Sequence, residues 1–431
     1  MLAITNLNWL TLKNAAMPQT KATSPAEQKR LPKWELVIMM ALLMALNALA
    51  IDIMLPGLQQ IGASLGVDDE NQRQFVVTAY MIGMGLGQLF FGPLSDRFGR
   101  KPALLAGLIV YISASVFAGF VPTFATLLAV RFIQGVGSAA TRVIAISVVR
   151  DLYGGRGMAE VMSLIMMVFM VIPIIAPTIG QSILFVGEWH LIFLFLALFS
   201  ACMFVWVLGR LPESLKPADR RAFNVSSILA GFKIVLSNRT ATLYILATTS
   251  VQACMFGYIS SAQQVYIDVF AIGPLFPIAF AGIGVVMSVS ALANSRMVGR
   301  FGMRRLSQSA LIGFTLTMGI WLAVDLLYNG IMPFWMFYGF FAIGWFQFGW
   351  LGANFNTLAM EPLGHIAGLG SSILGFTSTA GSALLGSLIG LNFNGTTTPL
   401  IIGFFCFAIV TLIITIVAEN GKLFQAPNAP D

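Results

Sequence analysis

The chain has 431 residues, of which 58% are hydrophobic and 10% charged, and its formal net charge is +7. Soluble domains carry about 25% charged residues, so a mean hydropathy of +0.86 excludes a soluble protein and demands a surface that faces lipid. The three cysteines, Cys202, Cys254 and Cys406, fall inside apolar runs, with no metal-ligand spacing and no secreted disulfide framework.

Residues 1–33 are polar and basic, with Lys13, Lys21, Lys29, Arg30 and Lys33, and contain no apolar core followed by a cleavage site. They read as a cytoplasmic tail before an uncleaved first helix. Apolar runs then recur at 34–56, 74–94, 102–121, 123–148, 158–184, 189–210, 240–264, 273–295, 306–327, 332–358, 368–391 and 398–419. They match the roughly 20 residues a helix needs to cross hydrocarbon and lack the alternation of barrel strands. The expectation is an all-α membrane protein with twelve transmembrane helices in two six-helix halves. One half covers 34–211 and the other 240–419, joined by a cytoplasmic linker, 212–239, and followed by a cytoplasmic tail, 420–431.

Sidedness follows from charge. With both termini in the cytoplasm, every lysine and arginine except Arg73, Arg131 and Arg142 falls in the tails or in inward-facing turns. This asymmetry accounts for the basic pI of about 9.5, so no nucleic-acid partner is needed. Each half also repeats a basic turn between its second and third helices: Asp96-Arg97-Phe98-Gly99-Arg100-Lys101, and Gly299-Arg300-Phe301-Gly302-Met303-Arg304. Two such halves place a binding site near the midplane and expose it to each side in turn by rocking.

Ionisable groups inside apolar helices are functional candidates by default. The first helix carries Asp52 some 18 residues beyond Trp34, and the fourth reads Arg131-Phe132-Ile133-Gln134-Gly135. Their depths agree, so Asp52 and Arg131 are expected to pair, with Gln134 one turn along to bond either. The alternative is a fixed buried ion pair with no part in transport. Arg142 follows Arg131 by three turns on the same face, about 16 Å nearer the cytoplasm. It suits an anionic ligand group or, equally, a bond to backbone carbonyls or a glutamine. The remaining candidate wall of a central cavity is Asn47, Tyr80, Gln134, Gln252, Tyr258, Gln263, Trp345, Gln347 and Asn354, although aromatics on such helices more often face lipid or core. Met162, Met166, Met167 and Met170 suit adaptable walls and ordinary packing alike.

Between helices two and three, Gly92 permits close packing and Gly99 a tight turn. Asp96 sits where it can pair with a cation such as Arg150, or face a helix N-terminus of the other half. Contacts of that kind, present in one state and broken in another, form a latch; Arg97, Arg100 and Lys101 also simply obey the charge bias. In helix five, Pro173 and Pro177 remove backbone donors ahead of Gly180, either sealing the path between helices or making a packing kink.

The run Gly92-Pro93-Leu94-Ser95-Asp96-Arg97-Phe98-Gly99-Arg100-Lys101 resembles the signature of the major facilitator superfamily, and the segment around Arg131 resembles that superfamily's helix-four motif. Ala176-Pro177-Thr178-Ile179-Gly180 is similar to its antiporter signature, with Ala176 and Gln181 where glycines are usual. From Trp34 to about Val417 the chain resembles the Bcr/CflA branch of drug:proton antiporters. The resemblance rests on Asp52-Ile53-Met54-Leu55-Pro56, on Arg150-Asp151-Leu152-Tyr153, on Pro212-Glu213-Ser214-Leu215, on Asn294-Ser295-Arg296 and on Ala367-Gly368-Leu369-Gly370-Ser371-Ser372. It implies the major facilitator fold and proton-coupled export of small amphipathic compounds, a multidrug efflux, across the bacterial inner membrane by a monomer. Asp52 and Arg131 would couple protons, and no cofactor beyond the proton gradient is implied. Some relatives place a second acid where this chain has Met44, which favours neutral or monovalent substrates here. A dedicated exporter or importer of one metabolite, such as an anionic siderophore or a nucleoside, is the alternative that two arginines on one face favour. A non-transporting membrane sensor is another. No catalytic triad, HExxH or Walker sequence occurs, so an enzyme and an ATP-driven pump are not expected.

Overall fold

Backbone polar groups inside hydrocarbon must be satisfied within their own segment. The computed structural model, which describes residues 31–220 and 225–424, is accordingly helical, with no strand among those residues. Twelve long helices follow one another: α1 Lys33–Asp52, α2 Phe75–Phe98, α3 Arg100–Ala118, α4 Phe124–Leu152, α5 Gly155–Val186, α6 His190–Arg210, α7 Arg239–Gln263, α8 Phe276–Phe301, α9 Met303–Leu327, α10 Phe334–Met360, α11 Ala367–Leu391 and α12 Thr398–Ala418. Among the described residues, 11 helices are long and apolar enough to cross a membrane. The exception is α10, whose 27 residues suffice in length but whose Trp335, Tyr338, Trp345, Gln347, Trp350 and Asn354 dilute its hydropathy. Most of the tail expected over 1–33, and 425–431 of the tail expected over 420–431, lie outside the described residues.

Helix ends depart from the hydropathy runs for local reasons. Helix α1 stops at Asp52, where a 3-10 turn, Leu55–Gly57, carries Pro56 into the short helix Leu58–Ser64. Helix α2 runs through Asp96 and Arg97, because charge ends a hydropathy window but not a helix; it stops at Gly99, with φ 104° and ψ 158°. Helix α4 opens on a capping box in which Thr123 and Thr126 satisfy each other's free backbone donors. The linker read as polar contains a helix, Val225–Ser237, whose Ile228 and Val235 are buried where it packs on α7 and α11.

Lipid tails are as apolar as leucine, so helices associate here by close approach of small residues. A Cβ on Gly83 would collide with the Phe132 carbonyl and one on Gly135 with the Tyr80 carbonyl, which puts the α2 and α4 backbones in contact. Within the first half α4 packs on α2, α3 and α1; within the second, α7 packs on α11, α12 and α10. Across the halves the principal contacts are α2 with α11 and α5 with α8.

Candidate functional site

Arg131 is 0% exposed; of its expected partners it meets Gln134 but not Asp52. Its Nε donates to the Val76 carbonyl (3.1 Å), Nη2 to the Ala50 carbonyl (3.0 Å) and Nη1 to Gln134 Oε1 (2.6 Å). The guanidinium lies 4.4 Å from the centre of the Tyr80 ring. Gln134 passes the chain on to Ser115 of α3 (2.7 Å), while Tyr80 reaches Asn47, which bonds Thr141 of α4 (3.0 Å). No ion pair joins Arg131 to Asp52 among the described residues, which corrects the expected pairing. The physical reason is the end of α1: its last carbonyls have no intrahelical donor and carry the negative end of the helix dipole, so the guanidinium binds backbone instead. Arg131, Tyr80 and Gln134 therefore brace α1, α2, α3 and α4 together, sealed from the cavity they were expected to line.

Asp52 is 5% exposed and makes no hydrogen bond or ion pair with any described residue. It lies within electrostatic reach of Tyr258, on α7 of the opposite half. The Tyr258 ring packs on Phe341 (4.6 Å), Phe280 (5.5 Å) and Trp345 (5.6 Å), and Trp345 continues to Phe404 (5.0 Å). The acid is thus within electrostatic reach of one member of an aromatic cluster in the opposite half. An unpaired carboxylate in such surroundings is costly when charged, which makes it a place for a proton to bind and leave.

Arg142 is exposed although α4 continues on both sides of it. Its direction follows from Arg131: that side chain points between α1 and α2, and Arg142 occupies the same stripe three turns on. There the guanidinium makes no hydrogen bond or ion pair with any described residue. Of the other wall candidates, Gln252 is partly exposed, but Asn354 bonds Asn294 of α8 (2.9 Å) and Gln347 turns toward Gly313 of α9. Gln263 is buried, its Nε2 unpartnered.

The halves are joined at one end. Away from the arginine-rich turns, Gln59 donates to Asp268 (3.0 Å). Asn71 donates to the Leu391 and Phe393 carbonyls (3.2 and 3.0 Å) and accepts from Gln264 (2.7 Å). Midway, Gln88 donates to Thr379 (3.3 Å) and Gly85 packs on Ala380. At the basic end the ion pairs among described residues each stay within one half. Among the described residues, the hydrogen bonds that cross the halves are thus concentrated at the far end and midway, while nearer the basic end Gly92 of α2 packs on Ser372 of α11. This seam had only a faint sequence signal, the polar stretch 68–74.

At the basic end Asp96 pairs with Arg100 (2.5 Å), which also bonds Asp151 (2.8 Å) and is 3% exposed. The cation is therefore Arg100 and not the expected example, Arg150, which is exposed and in no ion pair among described residues, because Arg100 lies one turn from Asp96. Arg97 is likewise exposed, over the Phe98 ring, and Gly92 faces Ser372 of α11. The Glu213 carboxylate, just past α6, accepts from the Arg100 and Lys101 backbone N–H groups (2.8 and 3.2 Å) and so caps α3. The second half repeats the plan, Arg304 bonding Glu361 (3.1 Å) and Glu419 (3.2 Å). Gly99→Ala is expected to lower the melting temperature of detergent-purified protein more than Gly302→Ala. Both glycines hold backbone that strains other residues by about 1–3 kcal/mol, but only at Gly99 would the added Cβ also meet Glu213. In α5, Gly180 packs against the Ile53 carbonyl where α1 ends, with Pro177 buried and Pro173 half-buried on the same helix.

This arrangement matches known proteins along most of its length. The model of the Major Facilitator Superfamily matches residues 40–387. A bicyclomycin resistance protein homolog of Haemophilus influenzae is 29% identical over 85% of this chain and 91% of its own. Multidrug resistance protein D of Escherichia coli is 28% identical over 84% of this chain and 89% of its own. Among solved structures, a partially occluded inward-open conformation of the xylose transporter XylE from E. coli superposes with a TM-score of 0.71, at 11% identity, over 92% of this chain and 99% of that one.

Proposed function

Because the chain belongs to the major facilitator superfamily, we propose that it exports small amphipathic compounds across the bacterial inner membrane in exchange for protons, as a multidrug efflux carrier. Relatives named for multidrug and bicyclomycin resistance support this reading. The positive-inside rule assigns the basic end to the cytoplasm, so the Asn71 seam closes the external side and the cavity faces inward. The halves 34–211 and 240–419 rock about the junction while 212–239 ties them on the cytoplasmic side. The cavity lies within one chain, so the cycle needs no second copy.

The observation that carries the proposal is Asp52: an unpaired acid at the end of α1, within electrostatic reach of Tyr258 in the other half. A proton from outside binds Asp52 and releases substrate outward. The neutral acid then lets the halves close on the external side, and cytosolic substrate displaces the proton inward. Purified protein in detergent is expected to release protons on binding members of a panel of phenicols, quinolones, cationic dyes and carboxylate siderophores. Asp52→Asn is expected to bind them with no release. Release at the wild-type level in the variant removes Asp52 from the mechanism; binding without release in the wild type removes proton exchange. A carrier of one metabolite would respond to a single member of the panel.

A further inference from the structure

Three features converge on Arg142. It is a cation on the stripe of α4 that points between α1 and α2, it is exposed inside the bundle, and no described residue pairs with it. The acids on the surrounding helices are engaged elsewhere: Glu35 with Arg210 (2.6 Å), Asp325 with Thr397 and Thr398 (both 2.6 Å), and Asp151 with Arg100. Asp52 alone is free, and it is not adjacent. The Asn47–Thr141 bond (3.0 Å) sets α1 and α4 level, and Asp52 lies five residues farther out, about 7 Å along the axis at 1.5 Å per residue. An uncompensated cation in a funnel with low-dielectric walls concentrates anions from the cytosol. A planar guanidinium is suited to bidentate binding of a carboxylate or phosphate.

Resting on the export reading, we propose that Arg142 is the anion subsite of the inward-facing cavity, so that the preferred substrates are amphipathic monoanions. Their apolar part lies toward Tyr258 and Trp345, and their anionic group binds Arg142. Cationic dyes are disfavoured at this step, since the same charge repels them.

The test uses the full-length protein in detergent and three probes on one aromatic scaffold: pyrenebutyrate, its methyl ester and pyrenebutyltrimethylammonium. Wild type is expected to bind the anion at least tenfold more tightly than the ester, and the cation least. Arg142→Gln is expected to lose that tenfold preference with ester affinity unchanged, and Arg142→Lys to keep much of it. Unchanged ester affinity reports that the variants are folded. Equal binding of anion and ester by the wild type overturns the proposal, as does a preference that survives in Arg142→Gln, or an equal loss for all three probes in both variants. Proton release is read separately. If the ester evokes release that Asp52→Asn abolishes while charge makes no difference, the export reading stands and the anion subsite falls. If the anion preference is found without proton release by any probe, the subsite stands and proton-coupled export falls.

Discussion

Replacing Arg131 with leucine is expected to remove most of the folded protein, read as the monodisperse peak in size-exclusion chromatography and as melting temperature, rather than to abolish transport in a protein that folds normally. The guanidinium satisfies the Ala50 carbonyl at the end of α1 and Gln134 Oε1, and lies over the Tyr80 ring. Each acceptor left unsatisfied in a buried site costs about 1–3 kcal/mol, and a desolvated cation–π contact is worth about 2 kcal/mol. The combined loss is on the order of 4–8 kcal/mol. The opposing effect is relief from burying a charge, which often makes apolar replacement of an ion pair neutral or favourable. It does not win here, because leucine removes the charge but leaves its polar partners in place and cannot fill the guanidinium's volume. Arg131→Lys is expected to recover less than half of the folded yield: one ammonium cannot fan out to acceptors on α1, α2 and α4 together. A leucine variant that folds normally and loses only proton coupling would restore the Asp52–Arg131 pair as a feature of another state.

The contrast between Arg131 and Arg142 marks where residue patterns stop being informative. Spacing along α4 places both on one stripe and gives their depths, and the depth match with Asp52 is also real. What spacing cannot convey is that α1 ends at Asp52, leaving a carbonyl as a better partner for Arg131 than the nearest carboxylate; backbone acceptors are invisible to a reading of side chains. The long helices were legible because hydrocarbon tolerates little else. The linker helix Val225–Ser237 was hidden because the neighbouring Lys216, Asp219 and Arg220 made the whole stretch look like a polar connection. Arg100 looked like one more positive charge near the cytoplasm. Only the chain's return past α6 brings Glu213 to the start of α3, and only the packing of the last turn of α4 beside the start of α3 brings Asp151 to the guanidinium. The Asn71 seam joins residues more than 300 positions apart, so no local pattern encodes it.

That seam carries the second large effect. In a background lacking Cys202, Cys254 and Cys406, bridging Gln59→Cys to Asp268→Cys with a short bifunctional thiol reagent is expected to reduce transport to background, and reductive cleavage to restore it. The native side chains already touch across the halves, so the bridge fits the closed external end, whereas rocking must part them. Weakening the same end should act in the opposite direction. Asn71→Ala removes hydrogen bonds to Leu391, Phe393 and Gln264, each worth about 0.5–1.5 kcal/mol net. A total near 3 kcal/mol shifts a two-state equilibrium by about 100-fold, toward the outward-open form. The readout is Gln263→Cys, at a buried position beside the seam: a membrane-impermeant maleimide added from outside should label it slowly in the parent and rapidly with Asn71→Ala. Unchanged labelling would mean that the packing of Gly85 on Ala380, deeper in the membrane, holds the external side shut without the polar seam. The crosslink would then still block transport, because it forbids the motion whichever contacts favour the closed end.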